Sequence, residues 1–433
     1  MGSAFRRTLM TESLLTLDIE KPTAGGRMLA RHNGQIVLVW GTIPGERVRA
    51  RIERSGKGVL FAETVDVLSV SPDRRAATAD WRCGGNVLAH VAYARQRQLK
   101  ADIIRDAFAR IGRLPLEHAP SVLASPETGY RMRARLHVRH GRIGFVREGS
   151  HDVCAVRPTG QMLPATADWI EMAESRLRAE QRRGLVSIEI AENIPATERA
   201  CHLELEPGTD PAPFAGLATD GITGLTAHVL DRRGIDHLFG VAVVNDSLTY
   251  SDSGDVALNL RRDARSFFQG NRFLLEALVQ RVCSLVPEGP VVDLYAGVGL
   301  FGLSLAAMRG AEVTLVEGDP ASGHDLEENA QPYAGRARVV RTSVEDFLHH
   351  DTPAPHETFI ADPPRTGMSP DAVRAIAAAK PARIVYVSCD VATLARDARV
   401  LVDADYSLRE ISAVDLFPNT AHVETIAVFQ RQA

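Results

Sequence analysis

The sequence predicts an α/β protein in which a C-terminal doubly wound sheet follows a small N-terminal β-barrel and a β-rich central region. Strands and helices alternate from residue 266 to residue 433, which is typical of a doubly wound parallel sheet. Short strands separated by turn signals fill residues 15–75, at the spacing of a small barrel. We therefore predict three domains, at residues 12–75, 76–265 and 266–433.

Composition and charge are those of a globular protein. The 433 residues are 45% hydrophobic and carry a formal net charge of −4. No apolar run approaches the roughly 18 residues that a membrane helix needs, so we expect no membrane span. The N-terminus lacks the apolar core of a signal peptide, and Met10 is an alternative start to Met1. We expect the first nine residues to be disordered.

The cysteines are few, odd in number and widely scattered along the chain. This distribution argues against a disulfide framework and favours a reducing compartment, so we expect a cytoplasmic protein. The five residues are Cys83, Cys154, Cys201, Cys283 and Cys389.

The barrel is predicted from four strands, at residues 15–19, 34–40, 46–52 and 60–68. Glycine-rich and proline-containing turns separate these strands. Short strands at this spacing suggest a barrel of the oligonucleotide-binding kind.

The central region combines helices with short strands. Apolar residues at helical spacing predict a helix over residues 93–112, which we expect to pack on the C-terminal domain. Strands are predicted at 130–139 and 142–146, and a second helix at 161–183. Residues 184–265 mix short strands with turns, which makes this region β-rich as a whole.

A row of arginines lies in the first strand of the central region. Arg131, Arg133 and Arg135 have strand spacing, which places three guanidinium groups on one face of the sheet. The surrounding residues 95–148 contain twelve Arg and Lys against five Asp and Glu. The row is a candidate phosphate-binding site, and a set of solvated surface charges is the alternative.

In the C-terminal part, a glycine-rich turn follows a buried strand at residues 291–295. Gly297, Gly299 and Gly302 satisfy the pattern G-x-G-x-x-G, and Glu317 lies twenty residues after Gly297 at the end of the next strand. Such glycines allow a tight turn and a close approach of the backbone to a ligand, and the carboxylate binds ribose hydroxyls.

Two ligands fit this glycine pattern. It is formally a dinucleotide fingerprint, but S-adenosylmethionine also has an adenosine ribose and uses the same kind of site. Asp293, at the strand end before the turn, favours the methyl donor, because a diphosphate would bind badly beside a carboxylate.

Candidate functional side chains lie beside three other strands. Asp362 opens a run Asp-Pro-Pro-Arg, and Arg365 stands where enzymes that methylate exocyclic amines have an aromatic residue, which argues against amine methylation. Cys389 follows the buried strand 384–387, at the edge where open sheets bind ligands. An inert buried cysteine is the alternative. Glu424 precedes the last apolar strand. It is either a functional carboxylate or a charge that protects a strand edge from aggregation.

Five motifs of the C-terminal part occur in a fixed order. They are Gln269 with Asn271, Asp293-Leu-Tyr-Ala-Gly-Val-Gly299, Asp362-Pro-Pro-Arg-Thr-Gly367, Ser388-Cys-Asp390 with Thr393-Leu-Ala-Arg-Asp397, and Phe417-Pro-Asn-Thr-Ala-His-Val-Glu424. Together they resemble the RNA uracil-5-methyltransferase family, and the resemblance covers nearly the whole chain. Residues 15–75 resemble a TRAM domain, an RNA-binding module, through Gly25-Gly-Arg-Met-Leu-Ala-Arg31 and Ile43-Pro-Gly-Glu-Arg-Val48. With this domain in front, the chain is most similar to the branch that modifies 23S ribosomal RNA.

The resemblance implies a class I methyltransferase fold and an enzyme that makes 5-methyluridine in RNA with S-adenosylmethionine. It implies Cys389 as the nucleophile that attacks C6 and Glu424 as the base that removes the C5 proton. A base in folded RNA must be unstacked to reach such a site, which suits a protein with a separate RNA-binding domain. The residues expected around the methyl donor are Gln269, Tyr295, Gly297, Gly299, Glu317, Ser343 and Asp362, and those expected to bind RNA are Arg131, Arg133 and Arg135.

The chain departs from the family in its cysteines. Members of this branch often hold an iron–sulfur cluster on four cysteines, of which Cys83 alone remains here. Ala77 and Asn86 occupy two of the other positions, and the fourth aligns with Thr159, so that Cys154 is out of register. One thiolate cannot hold a cluster. We therefore expect no cluster, no metal site and a plain buried thiol at Cys83.

The motif around the nucleophile also differs from the family sequence. The family sequence Ser-Cys-Asn-Pro is replaced by one in which Asp390 and Val391 follow Cys389. A negative charge beside the thiol raises the pKa of Cys389 if nothing offsets it. This departure puts the rate in question and leaves the nucleophile in place.

Three alternatives stay open from sequence alone. The same chemistry could act on tRNA, because the motifs do not separate the two RNAs. The chain could be a non-catalytic RNA-binding protein on a degenerate methyltransferase fold that helps ribosome assembly, which Asp390 leaves open. The third alternative is an NAD-dependent oxidoreductase, and only the glycine pattern supports it.

Overall fold

The structure is a computed structural model that describes residues 14–77, 79–250, 256–350 and 357–432. Within these ranges the chain forms a closed barrel, a seven-stranded sheet, a two-stranded hairpin and an eight-stranded sheet. No helix in the described ranges is both long and apolar enough to cross a lipid bilayer. The expectations about the start of the chain and its first nine residues fall outside the described part.

The N-terminal barrel consists of β1 (Leu14–Pro22), β2 (Met28–His32), β3 (Gln35–Trp40), β4 (Arg47–Gly56) and β5 (Val59–Ser69). The strands close in the order β1-β2-β3-β5-β4. Alternation of side chains puts Val37, Val48 and Ala50 in the interior, while the arginines of β4 point outward. The sequence did not predict β2, because this five-residue strand lies directly between two glycine turns.

After the barrel the chain forms α1 (Tyr93–Ala107), a π-helical turn (Phe108–Gly112) and the short strand β6 (Val122–Leu123). The predicted helix over 93–112 therefore exists, with its last turn widened. Ile104 of α1 and Phe108 are buried in the same core as Leu394 and Ala398 of the C-terminal part.

The central sheet contains β7 (Arg133–Arg139), β8 (Arg142–Val146), β9 (Val153–Cys154), β10 (Leu185–Glu192), β11 (Arg199–Leu205), β12 (Gly224–Val229) and β13 (Asp236–Gly240), with α2 (Pro164–Ala179) between β9 and β10. Its strand order is β13-β12-β11-β10-β7-β8-β9. Leu136, Ile188 and Leu203 share one buried core with Ile170 of α2. The opposite face carries polar and charged side chains, including the row of arginines.

A two-stranded hairpin, β14 (Val243–Tyr250) and β15 (Val256–Asp263), connects the central sheet to the C-terminal part. Its apolar residues Leu248, Leu258 and Leu260 belong to the core of the C-terminal sheet. Together with α1 and β6, the hairpin thus packs on the C-terminal sheet from outside residues 266–433. The three-domain division stays a prediction, and these contacts are the structural findings that bear on it.

The C-terminal part contains α3 (Leu275–Ser284), β16 (Val291–Leu294), α4 (Leu300–Arg309), β17 (Val313–Val316), α5 (Pro320–Ala330), β18 (Ala337–Val340), α6 (Val344–His350), β19 (Thr358–Ala361), α7 (Pro370–Ala379), β20 (Arg383–Ser388), α8 (Val391–Asp403), β21 (Tyr406–Val414) and β22 (Glu424–Arg431). The sheet order is β18-β17-β16-β19-β20-β22-β21-β6. The first five of these strands are parallel, and β22 is antiparallel to both of its neighbours. The prediction of a doubly wound sheet behind a small barrel is confirmed.

Cys83 and Cys154 form a disulfide bond, with 5.9 Å between their Cα atoms. The prediction that Cys83 is a plain thiol is therefore wrong, while the register of Cys154 against the family's fourth cysteine stays a prediction. The pair is hidden in the sequence because its members are 71 positions apart and meet only where Cys83 bridges to Arg147, beside β8. Thr159, the residue aligned with the fourth cysteine, instead donates its hydroxyl to the Val156 carbonyl at 2.6 Å.

Candidate active site

The carboxyl ends of the parallel strands meet at one edge of the C-terminal sheet, and a cavity of about 630 Å³ opens there. Open α/β sheets bind ligands at this edge because the loops after adjacent strands diverge. The sequence-predicted residues that line the cavity are Arg131, Arg133, Gln269, Tyr295, Gly297, Glu317, Asp362, Cys389 and Glu424. Residues far apart in the sequence are thus brought together at the place that their strand-end positions predicted.

Cys389 occupies the junction between β20 and α8. Asp390 is the N-cap of α8, and its carboxylate accepts the Thr393 N–H at 2.9 Å. The residue that replaces the family asparagine therefore has a structural role beside the thiol. Burial raises the pKa of the Cys389 thiol to about 12, helped by the negative charge of Glu424 and opposed by Arg365; Asp390 has a smaller effect in the same direction as Glu424.

Glu424 is the first residue of β22 and pairs with Val414 at the end of β21. Its side chain is buried, and its Oε1 has no hydrogen-bond partner among the described residues. Burial, followed by the negative charge of Asp362, raises the pKa of Glu424 well above its usual value, while Arg365 lowers it. An unpartnered, buried carboxyl at a cavity wall is costly to maintain and is a mark of a functional group.

Gln269 and Asp362 form one side of the cavity. The Gln269 amide donates to Oδ2 of Asp362 at 3.1 Å. Burial raises the pKa of the Asp362 carboxyl to about 7, although the hydrogen bond from Gln269 lowers it. A positive charge bound beside Asp362 would lower this pKa and favour the carboxylate.

The glycine turn forms the other end of the cavity. Glu317 accepts the Gly297 N–H at 2.7 Å and the Asp319 N–H at 2.6 Å, so its carboxylate is held between two strand-end loops. Tyr295 has a positive φ of 61°, which turns the chain sharply out of β16 toward the cavity. Gly299 has φ of 99° and begins α4 without lining the cavity.

Asp293 lies beneath this turn. Its Oδ2 accepts the Gly302 N–H at 2.8 Å, which fastens the first turn of α4 to β16. Burial raises the pKa of Asp293 to about 8, and the nearby Asp362 and Glu317 carboxylates add to the increase, while the hydrogen bond from Gly302 lowers it. Asp293 therefore supports the loop from behind.

Ser343 is not among the residues that line the cavity, and its contact with the donor stays a prediction. The Ser343 hydroxyl accepts the Asp346 N–H at 3.0 Å and donates to the Asp346 carboxylate at 2.8 Å. It therefore caps the start of α6, which explains why a small polar residue stands at this position.

The predicted arginine row lies on one face, as its spacing indicated, but its members differ in surroundings. The Arg131 guanidinium lies between the rings of Phe145 and Phe417, at 5.3 and 5.5 Å from their centroids, and donates to Gln161 at 2.7 Å. Arg133 also lines the cavity and pairs with a glutamate. Arg135 forms an ion pair with Glu204 on the open face of the central sheet and does not line the cavity.

Sequence reasoning did not assign Arg365, Phe267 or Phe417 to the site. All three line the cavity, and Phe267 is 58% exposed at its mouth. The signal for each was its place beside a residue that was selected: Phe267 two positions before Gln269, and Arg365 three after Asp362. An exposed aromatic ring with arginines nearby offers a stacking surface for a nucleobase.

The acidic side chains of the cavity suit the cationic groups and ribose hydroxyls of a ligand, although four arginines line the same cavity. The carboxyls of Asp362, Glu317 and Glu424 face it, and burial raises the pKa of each. A positively charged group would relieve this burial of negative charge. S-adenosylmethionine has a sulfonium, an ammonium and a ribose, and it fits this set of side chains.

Comparison with family models gives two matches. The model described as tRNA (uracil-5-)-methyltransferase matches residues 327–432, and the TRAM domain model matches residues 10–65. These regions contain Asp362, Cys389 and Glu424 in the first case and the barrel in the second.

Curated relatives cover almost the whole chain. It is 34% identical over 438 residues to the 23S rRNA (uracil(1939)-C(5))-methyltransferase RlmD of Alkalilimnicola ehrlichii, covering 94% of each chain. It is 31% identical over 479 residues to RlmD of Halomonas elongata, covering 99% of this chain and 90% of that one.

One solved structure matches along the full length. The tRNA (uracil-54, C5)-methyltransferase of Pyrococcus abyssi, in complex with S-adenosyl-L-homocysteine, gives a TM-score of 0.75 at 25% identity. The match covers 96% of this chain and 99% of that chain.

Proposed function

Since the chain belongs to the RNA uracil-5-methyltransferase family, and so methylates C5 of uracil in RNA with S-adenosyl-L-methionine, we propose that Cys389 is its nucleophile and Glu424 its base. The observation that carries the proposal is that both side chains line one cavity with Asp362 and Arg365. The positions follow from the fold, because β20 ends at the thiol and β22 begins at the carboxyl.

In the proposed reaction the Cys389 thiol forms a transient covalent bond with the uracil ring. The Cys389 thiolate bonds to C6 of uracil, and the C5=C6 electron pair moves toward C5 and O4. C5 then bonds to the methyl carbon as the bond from that carbon to the donor sulfur breaks. Glu424 accepts the C5 proton, the C5=C6 bond reforms and the bond from C6 to sulfur breaks, which restores the thiolate.

Ionisation of the pair is the step that the free protein opposes. Burial raises the pKa of the Cys389 thiol to about 12 and keeps the pKa of Glu424 well above its usual range. The Arg365 guanidinium lowers both values. The sulfonium of the methyl donor adds a second positive charge, so donor binding favours the ionised forms that attack at C6 and proton removal require.

For the donor we propose the side of the cavity formed by Gln269, Asp362, Tyr295, Gly297 and Glu317. Glu317 suits the ribose hydroxyls, because its carboxylate stands at the end of β17 beside the glycine turn. Asp362 and Gln269 suit the charged end of the donor. Gly299 shapes the turn without contacting the ligand.

For RNA we propose Arg131 and Arg133 as contacts. Both line the cavity, and the two rings around the Arg131 guanidinium hold it in place before RNA arrives. A uridine must leave its stack to reach Cys389, and cationic side chains at the rim can hold its phosphates. Arg135 does not line the cavity and forms an ion pair with Glu204 on the open face of the central sheet.

The proposed substrate is 23S ribosomal RNA. Support comes from the RlmD relatives, whose names give this RNA and which align over nearly the whole chain. The second candidate is tRNA, because the Pyrococcus abyssi enzyme that shares this fold along its length is named for uracil-54 of tRNA.

A methylation assay on both RNAs separates these candidates. Purified protein and labelled donor are incubated with unmodified 23S rRNA and, separately, with unmodified tRNA, and the nucleosides are analysed by mass spectrometry. We expect 5-methyluridine in 23S rRNA with wild-type protein and none with Cys389→Ala. Label in tRNA alone would contradict the substrate, and undiminished activity of Cys389→Ala would contradict the nucleophile.

A further inference from the structure

The loop between β21 and β22, residues 415–423, is hereafter called the hairpin loop. It leaves the sheet at the pair Val414–Glu424 and carries Phe417 into the cavity wall. The hairpin loop therefore determines the place of one cavity ring and borders the proposed base. Since Oε1 of Glu424 has no hydrogen-bond partner among the described residues, packing must keep its carboxyl in position.

Asn419 is the residue of the hairpin loop with the most distant partners. Its Oδ1 accepts from Arg75 Nη2 and from Gln96 Nε2, each at 2.9 Å. Its backbone N–H donates to Oε1 of the same Gln96 at 2.9 Å, and its carbonyl accepts the Leu88 N–H at 2.8 Å. The side-chain oxygen, the backbone N–H and the carbonyl of Asn419 thus all bond to groups more than 300 positions away in the sequence.

These partners belong to the segment after the barrel and to α1. Arg75 and Leu88 lie between β5 and α1, and Gln96 is a fully buried residue of α1. Each buried amide that is hydrogen-bonded in this way limits the conformations open to the loop, because an unpaired buried group is costly. The backbone of Asn419 has φ of 65°, a conformation that asparagine tolerates better than most residues.

Other bonds hold the hairpin loop on either side of Asn419. Lys100 of α1 is fully buried and donates to Asp415 at 2.5 Å and to the Phe417 carbonyl at 3.0 Å. Asn271 donates to the Leu416 carbonyl at 3.0 Å. The loop is therefore fastened along its length, and Asn419 is the point at which the barrel side of the molecule reaches it.

We propose that Asn419 is a positioning residue for methyl transfer: it ties the hairpin loop, and with it Phe417 and Glu424, to α1 and to the segment after the barrel. The role of Glu424 in this statement rests on the proposed function. A group that must meet a bound base within a fraction of an ångström loses rate steeply when its support is loosened, by about a hundredfold for a misplacement of 1 Å.

The first test compares Asn419→Gly with Asn419→Asp. Glycine allows the positive φ and removes the side-chain acceptor, whereas aspartate keeps an acceptor for Arg75 and Gln96. The fold should survive in both, since Arg75 retains Glu127 and Gln96 retains the Leu88 and Val91 carbonyls. Steady-state methylation of RNA and calorimetric binding of the donor are measured for each.

We expect kcat of Asn419→Gly to fall by about tenfold or more, with donor Kd and RNA KM unchanged, and Asn419→Asp to restore most of the rate. A purely structural residue would not produce this separation of kcat from binding. Wild-type kcat in Asn419→Gly would overturn the proposal, as would a loss that Asn419→Asp shares or a parallel loss of donor affinity.

The second test examines the barrel side of the contact. Arg75→Met removes one donor to Asn419 along with the ion pair to Glu127 and the hydrogen bond to the Ala89 carbonyl. Glu127→Gln, the control for the ion pair, removes only the charge of that pair. We expect kcat to fall in Arg75→Met and to stay near wild type in Glu127→Gln. Equal rates in the two variants would contradict the link between Asn419 and the segment after the barrel.

These measurements can contradict the role of Asn419 without contradicting the proposed function, and the reverse also holds. Methyl incorporation reports on Asn419 whichever residue attacks C6. If Cys389→Ala keeps its activity, the proposed nucleophile is wrong, while the ratio of kcat values between Asn419→Gly and Asn419→Asp still tests the positioning role.

Discussion

Asp362 shows how burial prepares a side chain for a charged ligand. It follows β19 at the centre of the sheet and lines the cavity, and burial raises the pKa of its carboxyl to about 7. Below that pKa the carboxyl is neutral and has little attraction for a cation. Above that pKa the carboxyl is ionised, and its attraction for a cationic donor is greatest.

We therefore predict that the affinity for S-adenosylmethionine increases as pH rises from 6 to 8. The pKa of Asp362 is raised in the free protein, so at lower pH a proton must be lost before the cation binds, at about tenfold in affinity per pH unit below the pKa. Calorimetric titrations at several pH values measure this dependence, and repetition in buffers of different ionisation enthalpy counts the released protons.

The control for this prediction is Asp362→Asn, which cannot titrate. This variant should bind the donor weakly, and its donor affinity should no longer change with pH near pH 7. An affinity that is independent of pH in the wild-type protein would contradict the role given to the Asp362 carboxyl.

Residues with reactive groups at strand ends could be predicted from the sequence, whereas their supporting contacts could not. Cys389, Asp362 and Glu317 each follow a short apolar strand, and the edge rule for open sheets brings them together. The partners of Asn419 depend on how α1 packs against the C-terminal sheet, and no local pattern encodes that packing. The capping role of Ser343 was not predicted, because a helix cap and a ligand contact look alike in a sequence.

Among the elements, α4 packs closely against β17 at Gly302. A β-carbon at Gly302 would overlap Cδ2 of Leu315 and lie 3.0 Å from Oδ2 of Asp293. The absence of a side chain at Gly302 therefore lets the first turn of α4 approach β16 and β17. The glycine pattern of the sequence thus has a packing role at its third position and a turning role at its first two.

We predict that Gly302→Ala lowers the free energy of unfolding by about 1–3 kcal/mol, because the new methyl group forces α4 away from the sheet. Donor binding should weaken as well, since the turn at Gly297 moves with the helix. Denaturant unfolding and calorimetry measure the two effects.

The matched control is Gly335→Ala, where a β-carbon would meet no atom within 4 Å. That variant should unfold and bind as the wild type does. If Gly302→Ala were as stable as Gly335→Ala, the close packing of α4 would not be what requires the glycine.

At the scale of elements, period and turn signals predicted four strands of the barrel and the helix over 93–112, whereas β2, β6, β9, β21 and the disulfide were not predicted. The strand β2 is only five residues long and lies between turns, so its pattern is too short to recognise. The disulfide between Cys83 and Cys154 joins the segment after the barrel to β9, and only the three-dimensional fold brings those two positions within 5.9 Å.

In the whole molecule, the cavity is built from parts that are distant in sequence. The central region supplies Arg131 and Arg133, the segment before α3 supplies Phe267 and Gln269, and the C-terminal sheet supplies the remaining wall. The barrel side reaches the hairpin loop through Arg75. The cavity is therefore complete only where the central region, the segment before α3 and the C-terminal sheet meet.

The central claim is that Cys389 forms a covalent bond with the uracil that is methylated. The most direct measurement uses substrate RNA with 5-fluorouridine at the target position, together with the methyl donor, and denaturing electrophoresis to detect a protein–RNA adduct. Fluorine at C5 cannot leave as a proton does, so the reaction stops before elimination. The account predicts a stable adduct with wild-type protein and with the control Cys283→Ala, and none with Cys389→Ala. An adduct that persists in Cys389→Ala, or no adduct from protein that methylates the matching uridine RNA, would contradict it.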